Sequence, residues 1–250
     1  RASSPMESSE MTKNTSKTPP SGSSSSPVVV TGAGRGIGRA TAEAFARRGY
    51  NLVLVGRNAG ELEAASASCA KEGVSVLEID LDITTHGATE TIATRTLEHF
   101  GPPAVVVNNA GIVHRSLVEE TDDASWNAVL DVNLHAPFRL CRAFLRASKK
   151  AGFGRFVQVA SISSTLGTPR LASYCAAKWG IVGFTKSLAE ELRGTGLAAL
   201  AVLPGSVATR MLEGSGFPPM MQPSDVANTI VYAGLDAPLA MNGSAIEVFG

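Results

Sequence analysis

From residue 28 onward, short runs of β-branched and other apolar residues alternate with longer stretches in which apolar positions recur at helical spacing. The apolar runs predict strands at residues 28–30, 52–55, 74–79, 105–107, 156–160, 198–203 and 245–249. The stretches between them predict helices at residues 36–48, 58–71, 124–150, 172–193 and 224–234, with a further helix that ends at Phe100. Fully apolar strands separated by helices indicate a parallel sheet that is covered on both faces.

The fold class that follows is α/β, with one doubly wound parallel sheet in a single domain over residues 27–250. Ligands of such sheets bind beyond the carboxyl ends of the strands, so the turn after each strand is of interest. Pro27 is expected to be the first residue of the first strand, because proline does not fit inside a central strand. Residues 1–26 are rich in Ser, Thr, Pro and Lys and are expected to be a disordered tail, either native or in part a cloning remnant.

Composition excludes some classes of function. The 250 residues carry a formal net charge of zero, which gives no sign of a surface for nucleic acid or a membrane. No apolar run is long enough to span a bilayer, and the first residues lack the apolar stretch of a secretion signal. The three cysteines have no metal-ligand spacing and an odd number, so we expect reduced thiols, a cytoplasmic location and no metal.

A glycine-rich turn follows the first predicted strand and opens the first predicted helix. It reads Thr-Gly-Ala-Gly-Arg-Gly-Ile-Gly and ends at Gly38. Its glycines would let the backbone turn tightly and approach a pyrophosphate, which can rest on the N-terminus of the following helix. Such a sequence can also be only a turn, but its position between a strand and a helix favours dinucleotide binding.

The end of the second predicted strand bears on which dinucleotide is bound. NAD sites usually have an acid there, about 20 residues after the glycines, whereas this chain has Gly56 and Arg57. A guanidinium could pair with the 2′-phosphate of NADP, and Arg35 and Arg39 could add positive charge. The alternative is that these arginines are merely solvated. The missing acid favours NADP over NAD as the cofactor.

Polar residues also follow the third and fourth predicted strands. Asp82, beside Ile83, either accepts a hydrogen bond from an adenine amino group or caps the next helix. Asn108, Asn109 and Ala110 form either a wall along which a cofactor lies or an ordinary turn.

Tyr174 and Lys178 lie four residues apart in a predicted helix and therefore share one face. An ammonium near a phenol favours phenolate, so the tyrosine could exchange protons near neutral pH. Lowering a tyrosine pKa from about 10 to about 7 requires roughly 4 kcal/mol, which one cation at about 4 Å supplies at an effective dielectric near 20. Ser161, at the end of a strand, could hydrogen-bond the reacting oxygen, with Ser163 and Ser164 as competitors. Alone, a pair such as Tyr174 and Lys178 more often marks an exposed helix face.

Taken in order, these motifs resemble those of the short-chain dehydrogenase/reductase superfamily in its single-domain form, and within it the 3-oxoacyl-thioester reductases. Besides the glycine turn, the matching motifs are Asn108-Asn-Ala-Gly111, Asn133, Ser161, Tyr174-x-x-x-Lys178 and Pro204-Gly205. The interval from Ser161 to Tyr174 selects that serine among its neighbours.

The resemblance implies a role for each matching residue. Tyr174 would be the general acid/base, Lys178 would lower its pKa and hold the nicotinamide ribose, and Ser161 would orient the substrate oxygen. Asn133 would hold a water that relays protons from Lys178, although a buried amide taken alone is more simply bonded to backbone. The implied cofactor contacts are Gly32, Arg35, Gly36, Ile37, Gly38, Arg57, Asp82, Ile83, Asn109, Ala110, Tyr174, Lys178, Pro204, Gly205, Val207 and Thr209.

The implied function is NADP-dependent interconversion of a carbonyl and a secondary alcohol, with reduction of a ketone or 3-oxoacyl group as the expected direction. Alternatives are a sugar, polyol or small secondary-alcohol dehydrogenase, a lyase or epimerase on the same fold, and a non-catalytic NADP sensor. The expected partners are a small-molecule or acyl-thioester substrate and further copies of the chain. A homodimer or homotetramer would form through the helices that carry Asn133 and Tyr174.

The sequence says least about the substrate. Residues 209–222 contain two glycines and two prolines, so we expect a mobile loop, shorter than the substrate cover of many relatives. His114 and Arg115 follow the Asn-Asn-Ala-Gly turn and either face a substrate or are exposed loop residues.

Overall fold

The computed structural model describes residues 26–250, so the predicted tail falls on residues 1–25, outside the described part, and on Ser26. Seven strands form one parallel sheet. They are β1 (Val28–Thr31), β2 (Leu52–Gly56), β3 (Val76–Asp80), β4 (Val105–Asn108), β5 (Gly154–Val159), β6 (Leu197–Pro204) and β7 (Ala245–Val248). The predicted fold class is confirmed.

Seven α-helices connect and cover the strands. They are α1 (Gly36–Arg47), α2 (Ala59–Ala70), α3 (Ala88–His99), α4 (Asp123–Leu130), α5 (Ala136–Ala151), α6 (Ala172–Glu191) and α7 (Pro223–Val231). Local signals explain several of their ends. The side chain of Asn58 accepts a hydrogen bond from the backbone N–H of Glu61 at the start of α2, and Gly152 ends α5 with a φ of 78°.

The strand order β3-β2-β1-β4-β5-β6-β7 positions the functional site. The chain builds outward from β1 to β3 and then crosses back to place β4 on the other side of β1. This reversal leaves a crevice at the carboxyl ends of β1 and β4, which is where doubly wound sheets bind ligands. The turn after Thr31 and the turn after Asn108 therefore lie side by side.

The core lies on both faces of the sheet, because successive residues of a strand point to opposite sides. Val28 and Val30 of β1 pack with the helices α1, α2 and α7, whereas Val29 packs with α3, α5 and α6. Phe45 and Phe144 are fully buried on the two faces. Each buried side chain of this size contributes roughly 1.5–3 kcal/mol relative to exposure, so both layers of helices are held firmly to the sheet.

The structure differs from the sequence prediction at several places; for example, β5 begins at Gly154, two residues earlier than expected. The helix expected over residues 124–150 contains a π-helical turn, Asp131–His135, between α4 and α5. Pro27 lies just before β1 rather than in it, and its carbonyl accepts a hydrogen bond from the Ala104 N–H at 2.9 Å. β3 begins at Val76, two residues later than expected. Within residues 26–250, no helix combines the length and apolarity needed to cross a membrane.

Candidate active site

The glycine turn joins β1 to α1 and needs glycine for reasons of space and of backbone angle. Gly32 and Gly36 have φ values of 64° and 53°, which side chains other than glycine adopt only with strain. A Cβ on Gly38 would lie 2.1 Å from the carbonyl oxygen of Gly32, so α1 can approach the turn only with glycine there. The N-cap residue Arg35 makes no side-chain hydrogen bond to the first turn of α1, so the N–H groups of that turn can bind a ligand.

Asn109 holds the glycine turn in place from the neighbouring strand. Its Nδ2 donates to the carbonyl oxygens of Thr31 at 2.9 Å and Gly32 at 3.2 Å. The Thr31 hydroxyl oxygen accepts from the backbone N–H groups of Asn109 and Ala110, each at 3.0 Å. The sequence left a cofactor wall and an ordinary turn as alternatives for Asn109 and Ala110; the structure shows that Asn109 holds the shape of the neighbouring glycine turn.

Arg57 and Asp82, both predicted to contact the cofactor, contact each other at 3.1 Å. Asp82 also accepts hydrogen bonds from the backbone N–H and the hydroxyl of Thr84, at 2.9 and 2.6 Å, as in a local cap. Burial raises the pKa of the Asp82 carboxyl, but the bonds from Thr84 and Arg57 outweigh burial and hold that pKa below its ordinary value. Asp82 therefore closes a local turn with Thr84 and does not cap α3, whose N-cap is Gly87, while its contact with an adenine stays a prediction.

Glu61 is a site residue that sequence reasoning missed. Its carboxylate lies 3.6 Å from Arg35 of the glycine turn and 3.2 Å from Arg210, which follows β6. The end of β2 has no acid, as the sequence shows at Gly56 and Arg57, but Glu61 from α2 lines this end of the cleft together with Asp82. The capping signal at Asn58 located Glu61 on the first turn of α2, but only the packing of that helix shows that Glu61 reaches the glycine turn.

Ser161, Tyr174 and Lys178 meet at the opposite end of the crevice, and all three are buried. Lys178 Nζ lies 5.5 Å from the centre of the Tyr174 ring and donates to the carbonyl of Val159 at 2.8 Å. The hydroxyl oxygen of Ser161 accepts from the Ser163 N–H at 3.1 Å, which leaves its own proton free to donate.

The predicted lowering of the Tyr174 pKa by Lys178 is wrong in this structure. Burial raises the pKa of Tyr174, and an interaction with the Ser161 hydroxyl and the positive charge of Arg115 oppose that rise only in part. Burial also lowers the pKa of Lys178 to about 8. Desolvation therefore has the largest effect on the pKa of both groups. Spacing along a helix does not reveal this effect.

Asn133 lies in the π-helical turn, behind the loop that follows β4. Its Nδ2 donates to the carbonyls of Ile112 at 2.9 Å and Val129 at 2.8 Å, which is the backbone bonding expected of a buried amide. Its Oδ1 is also buried and has no hydrogen-bond partner among the described residues. The extra residue in the turn points this amide toward Gly111, where an added Cβ would lie 2.8 Å from Oδ1.

The segment after β6 crosses the cleft and joins its two ends. The predicted contacts Pro204, Gly205, Val207 and Thr209 all line the cleft, and the methyl carbon of Thr209 would be 3.3 Å from a Cβ on Gly36. Met211 was not predicted: its sulfur lies 3.9 Å from the hydroxyl of Tyr174. No sequence signal distinguishes this methionine, because its position depends on how the loop closes.

One cleft of about 1550 Å³ contains nearly all of the predicted residues. We call its two ends the glycine-turn half, with Arg35, Arg57, Glu61 and Asp82, and the tyrosine half, with Arg115, Ser161, Tyr174 and Met211. Of the predicted residues, Gly38 and Asn133 support the cleft from behind rather than line it. Arg115 lines the tyrosine half, whereas His114 does not.

The residues present fit a dinucleotide. A Cβ at Gly38 would occupy the space inside the glycine turn, so glycine keeps α1 close to the turn. The start of α1, which its N-cap residue leaves uncapped, offers N–H groups to a pyrophosphate. The volume of the cleft exceeds the roughly 300–1,000 Å³ of ordinary small-ligand sites, which leaves room for a second substrate.

Comparison with known proteins supplies the family. The family model described as short chain dehydrogenase matches residues 26–216. This chain belongs to the short-chain dehydrogenase family. The predicted superfamily is thereby confirmed.

Two relatives of this short-chain dehydrogenase carry the same name. It is 36% identical over 183 residues to the 3-oxoacyl-[acyl-carrier-protein] reductase FabG of Escherichia coli (strain K12). The aligned region covers 73% of this chain and 74% of that protein. It is 33% identical over 233 residues to the 3-oxoacyl-[acyl-carrier-protein] reductase of Synechocystis sp. (strain ATCC 27184 / PCC 6803 / Kazusa), over 89% of this chain and 94% of that one.

Among solved structures, levodione reductase superposes on this short-chain dehydrogenase with a TM-score of 0.85 and 27% sequence identity. The superposition covers 90% of this chain and 96% of levodione reductase. The family and these relatives make the chain an oxidoreductase that acts on the CH–OH/C=O pair.

Proposed function

We propose that this short-chain dehydrogenase is an NADP-dependent reductase that converts a ketone, of the 3-oxoacyl type, into a secondary alcohol. One observation carries the proposal: Ser161, Tyr174 and Lys178 meet at one end of the cleft whose other end is the glycine turn. A dinucleotide lying along this cleft would bring its reactive ring to the tyrosine.

Reduction of a ketone adds a hydride to the carbonyl carbon and a proton to the carbonyl oxygen. A bound nicotinamide supplies the hydride in this chemistry. Tyr174 supplies the proton from its hydroxyl, and the raised pKa of that buried phenol keeps it protonated at neutral pH, as a donor must be. The Ser161 hydroxyl, whose oxygen already accepts a bond from Ser163, donates its proton to the same substrate oxygen and orients it.

Lys178 and Asn133 are proposed to return a proton to Tyr174. With a pKa lowered to about 8, Lys178 remains mostly charged at neutral pH and can release a proton more easily than an exposed lysine. The buried Oδ1 of Asn133, which lacks a partner within residues 26–250, suits the water that this relay needs. Lys178 would also hold the nicotinamide ribose.

The choice of NADP rests on the charges of the glycine-turn half. Four arginines (Arg35, Arg39, Arg57 and Arg210) and three carboxylates (Glu43, Glu61 and Asp82) line it, which leaves a formal excess of one positive charge. A 2′-phosphate would accept from Arg57 in place of Asp82, and Arg35 would lie close by. The remaining contacts proposed for the cofactor are Gly32, Gly36, Ile37, Ile83, Ala110, Pro204, Gly205, Val207 and Thr209, which line the same cleft.

The 3-oxoacyl class rests on the two relatives of that name, at 36% and 33% identity. The test is reduction of a panel of ketones by the purified protein, followed by loss of NADPH absorbance. We expect Tyr174→Phe to lower kcat by about 10²–10⁴-fold and to leave NADPH binding intact, because only the proton donor is removed. Tyr232→Phe is the matched control, since its hydroxyl also contacts a methionine sulfur, at 3.2 Å, but lies outside the cleft.

The outcomes separate the proposal from its rivals. Binding of NADPH without turnover of any ketone would indicate a sensor, and product formation without net change in NADPH would indicate a lyase or epimerase. A preference for sugars, polyols or small alcohols would replace the proposed substrate class and would not affect the proposed roles of Ser161, Tyr174 and Lys178. Equal activity of Tyr174→Phe and the native protein would refute the role of Tyr174.

We also propose a homodimer or homotetramer formed through α5 and α6. Phe138 and Trp179 on these helices are 43% and 54% exposed, which is costly for aromatic side chains that remain in water. The three cysteines of the described chain are free thiols, which accords with the cytoplasmic location that we keep as a prediction.

A further inference from the structure

The charges in the tyrosine half of the cleft are one-sided. Arg115 and Arg170 line this half, and no aspartate or glutamate among the described residues lines it with them. The carboxylates of the cleft all lie in the glycine-turn half, where each has an arginine within 3.6 Å. The tyrosine half therefore presents positive charge that the described carboxylates do not neutralise.

Arg115 lies beside the reacting position. Its Nη2 donates to the carbonyl of Met211 at 2.7 Å, and the sulfur of the same methionine is 3.9 Å from the Tyr174 hydroxyl. Burial raises the pKa of Tyr174, and the charge of Arg115 is close enough to oppose that rise. Because one bond to Met211 uses only part of a guanidinium, Arg115 can still donate to an anion next to the substrate carbonyl.

Arg170 also lines this half, as an exposed residue with a strained backbone conformation. Its φ of 65° makes it the only non-glycine residue with a positive φ within residues 26–250, a conformation that costs about 1–2 kcal/mol for residues other than glycine. Its carbonyl accepts from the Ser116 N–H at 3.0 Å, so the loops that carry Arg115 and Arg170 are joined. No hydrogen bond or ion pair of its guanidinium occurs within the described chain, so no contact of this side chain there explains a non-glycine residue at this φ.

The tyrosine half also has apolar lining residues, namely Ile112, Leu166, Leu171, Met211 and Phe217, beside the hydroxyl groups of Ser163 and Thr168. These apolar side chains suit a short carbon skeleton, and the guanidinium groups of Arg115 and Arg170 suit an anionic group that accepts paired N–H bonds. We propose that the tyrosine half recognises ketones that carry an anionic group, bound between Arg115 and Arg170. This inference rests on the proposed reductase function and names its substrate class: the anion is either a carboxylate of the oxo acid itself or a phosphate of a thioester carrier.

Binding without turnover tests the inference independently of the reductase activity. Calorimetric titrations would use 3-oxobutanoate, its methyl ester and its coenzyme A thioester, each with saturating NADP⁺, which holds no hydride to transfer. We expect at least one anionic form to bind about tenfold or more tightly than the neutral ester, since charge-assisted hydrogen bonds are worth that much. A preference for the free acid identifies a carboxylate; a preference for the thioester alone identifies a carrier phosphate.

The variants Arg115→Gln and Arg170→Gln should each reduce that preference about tenfold, whereas Arg115→Lys and Arg170→Lys should restore part of it. Arg146→Gln, on an exposed position of α5 outside the cleft, is the matched control. Glutamine at position 170 keeps a non-glycine backbone, so a change there reports charge rather than strain. Equal binding of the three ligands, no binding of any, or equal losses for all three in the glutamine variants would overturn the inference.

The ratio of kcat/KM for the acid to that for the ester completes the test. Reduction of the ester with no anion preference would leave the reductase function standing and refute the anionic substrate class. Tighter binding of the anionic ligands without reduction of any ketone would support the anion site and refute the reductase function.

Discussion

The two halves of the cleft differ in whether their charged side chains are paired. In the glycine-turn half, every carboxylate is paired: Arg57 with Asp82, Arg39 with Glu43, and both Arg35 and Arg210 with Glu61. In the tyrosine half, the cations Arg115, Arg170 and Lys178 face no carboxylate among the described lining residues. Counting arginines along the sequence therefore overstates the positive charge of the first half and misses that of the second. The first half also depends on the backbone shape of the glycine turn, whereas the second depends on the buried side chains of Tyr174 and Lys178 and on the strained backbone of Arg170.

The largest expected effect tests whether backbone shape governs the glycine-turn half. Gly38→Ala should lower the free energy of unfolding by about 3 kcal/mol or more and abolish NADPH binding, because its Cβ would overlap the Gly32 carbonyl. Urea denaturation and fluorescence titration with NADPH measure the two losses.

Gly183→Ala is the control for this substitution. Gly183 lies on the exposed face of α6 with nothing within 4 Å of an added Cβ, so alanine there should stabilise the helix by about 0.5–1 kcal/mol. Native-like affinity in Gly38→Ala would show that the turn tolerates a side chain.

The next effect concerns the unpaired charge of Lys178. Burial lowers its pKa from the ordinary 10.5 to about 8, so the folded protein binds this proton less tightly than the unfolded chain does. The resulting destabilisation, about 3 kcal/mol, is fully present below pH 8, shrinks as the pH rises and is gone above about 10.5. After subtracting about 1 kcal/mol for the lost bond to Val159, Lys178→Met should raise the free energy of unfolding by about 2 kcal/mol at pH 7 while activity is lost.

Denaturant unfolding at pH 7 and pH 10 measures this prediction. The advantage of Lys178→Met should be largest at the lower pH, and Lys186→Met, at an exposed position of the same helix, should show no comparable pH dependence. A methionine variant that is less stable than the native protein at both pH values would contradict the assignment of a desolvation cost.

A third effect tests the paired charges of the glycine-turn half. Arg57→Ala should raise the Kd for NADPH about tenfold and change that for NADH by less than about threefold, because only NADPH carries the 2′-phosphate. Asp82→Asn should tighten NADPH binding, since Asp82 competes for Arg57 at 3.1 Å. Arg95→Ala, at an exposed position outside the cleft, is the control. An equal loss of affinity for NADPH and NADH in Arg57→Ala would refute the assignment of NADP.

The smallest effect measures the strain in the tyrosine half. Arg170→Gly should raise the free energy of unfolding by about 1 kcal/mol, or the Tm by about 2–4 °C, because glycine adopts a φ of 65° at no steric cost. Arg170→Ala removes the same side chain but keeps the strain, so it should not stabilise. Identical melting curves for the glycine and alanine variants would mean that the strain is negligible.

Several features of the fold and site followed from local patterns alone. The alternation of apolar runs and helical stretches predicted the parallel α/β sheet, because each pattern reflects the burial of that segment. The glycines from Gly32 to Gly38 and the pair Tyr174 and Lys178 were found because spacing along a strand, turn or helix determines which groups lie together. The pKa of Tyr174 was predicted in the wrong direction, because local spacing contains no information on burial.

The sequence by itself therefore determined the class of fold, the position of the glycine turn and the placement of Tyr174 and Lys178 on one helix face, all of which depend on neighbours along the chain. Only the tertiary structure decided which charges are paired. Glu61 meets Arg210 across a separation of 149 residues, and Met211 meets Tyr174 across 37. Such contacts depend on how helices and loops pack against the sheet. Within residues 26–250, the same packing leaves Arg115 and Arg170 without carboxylate partners in the cleft.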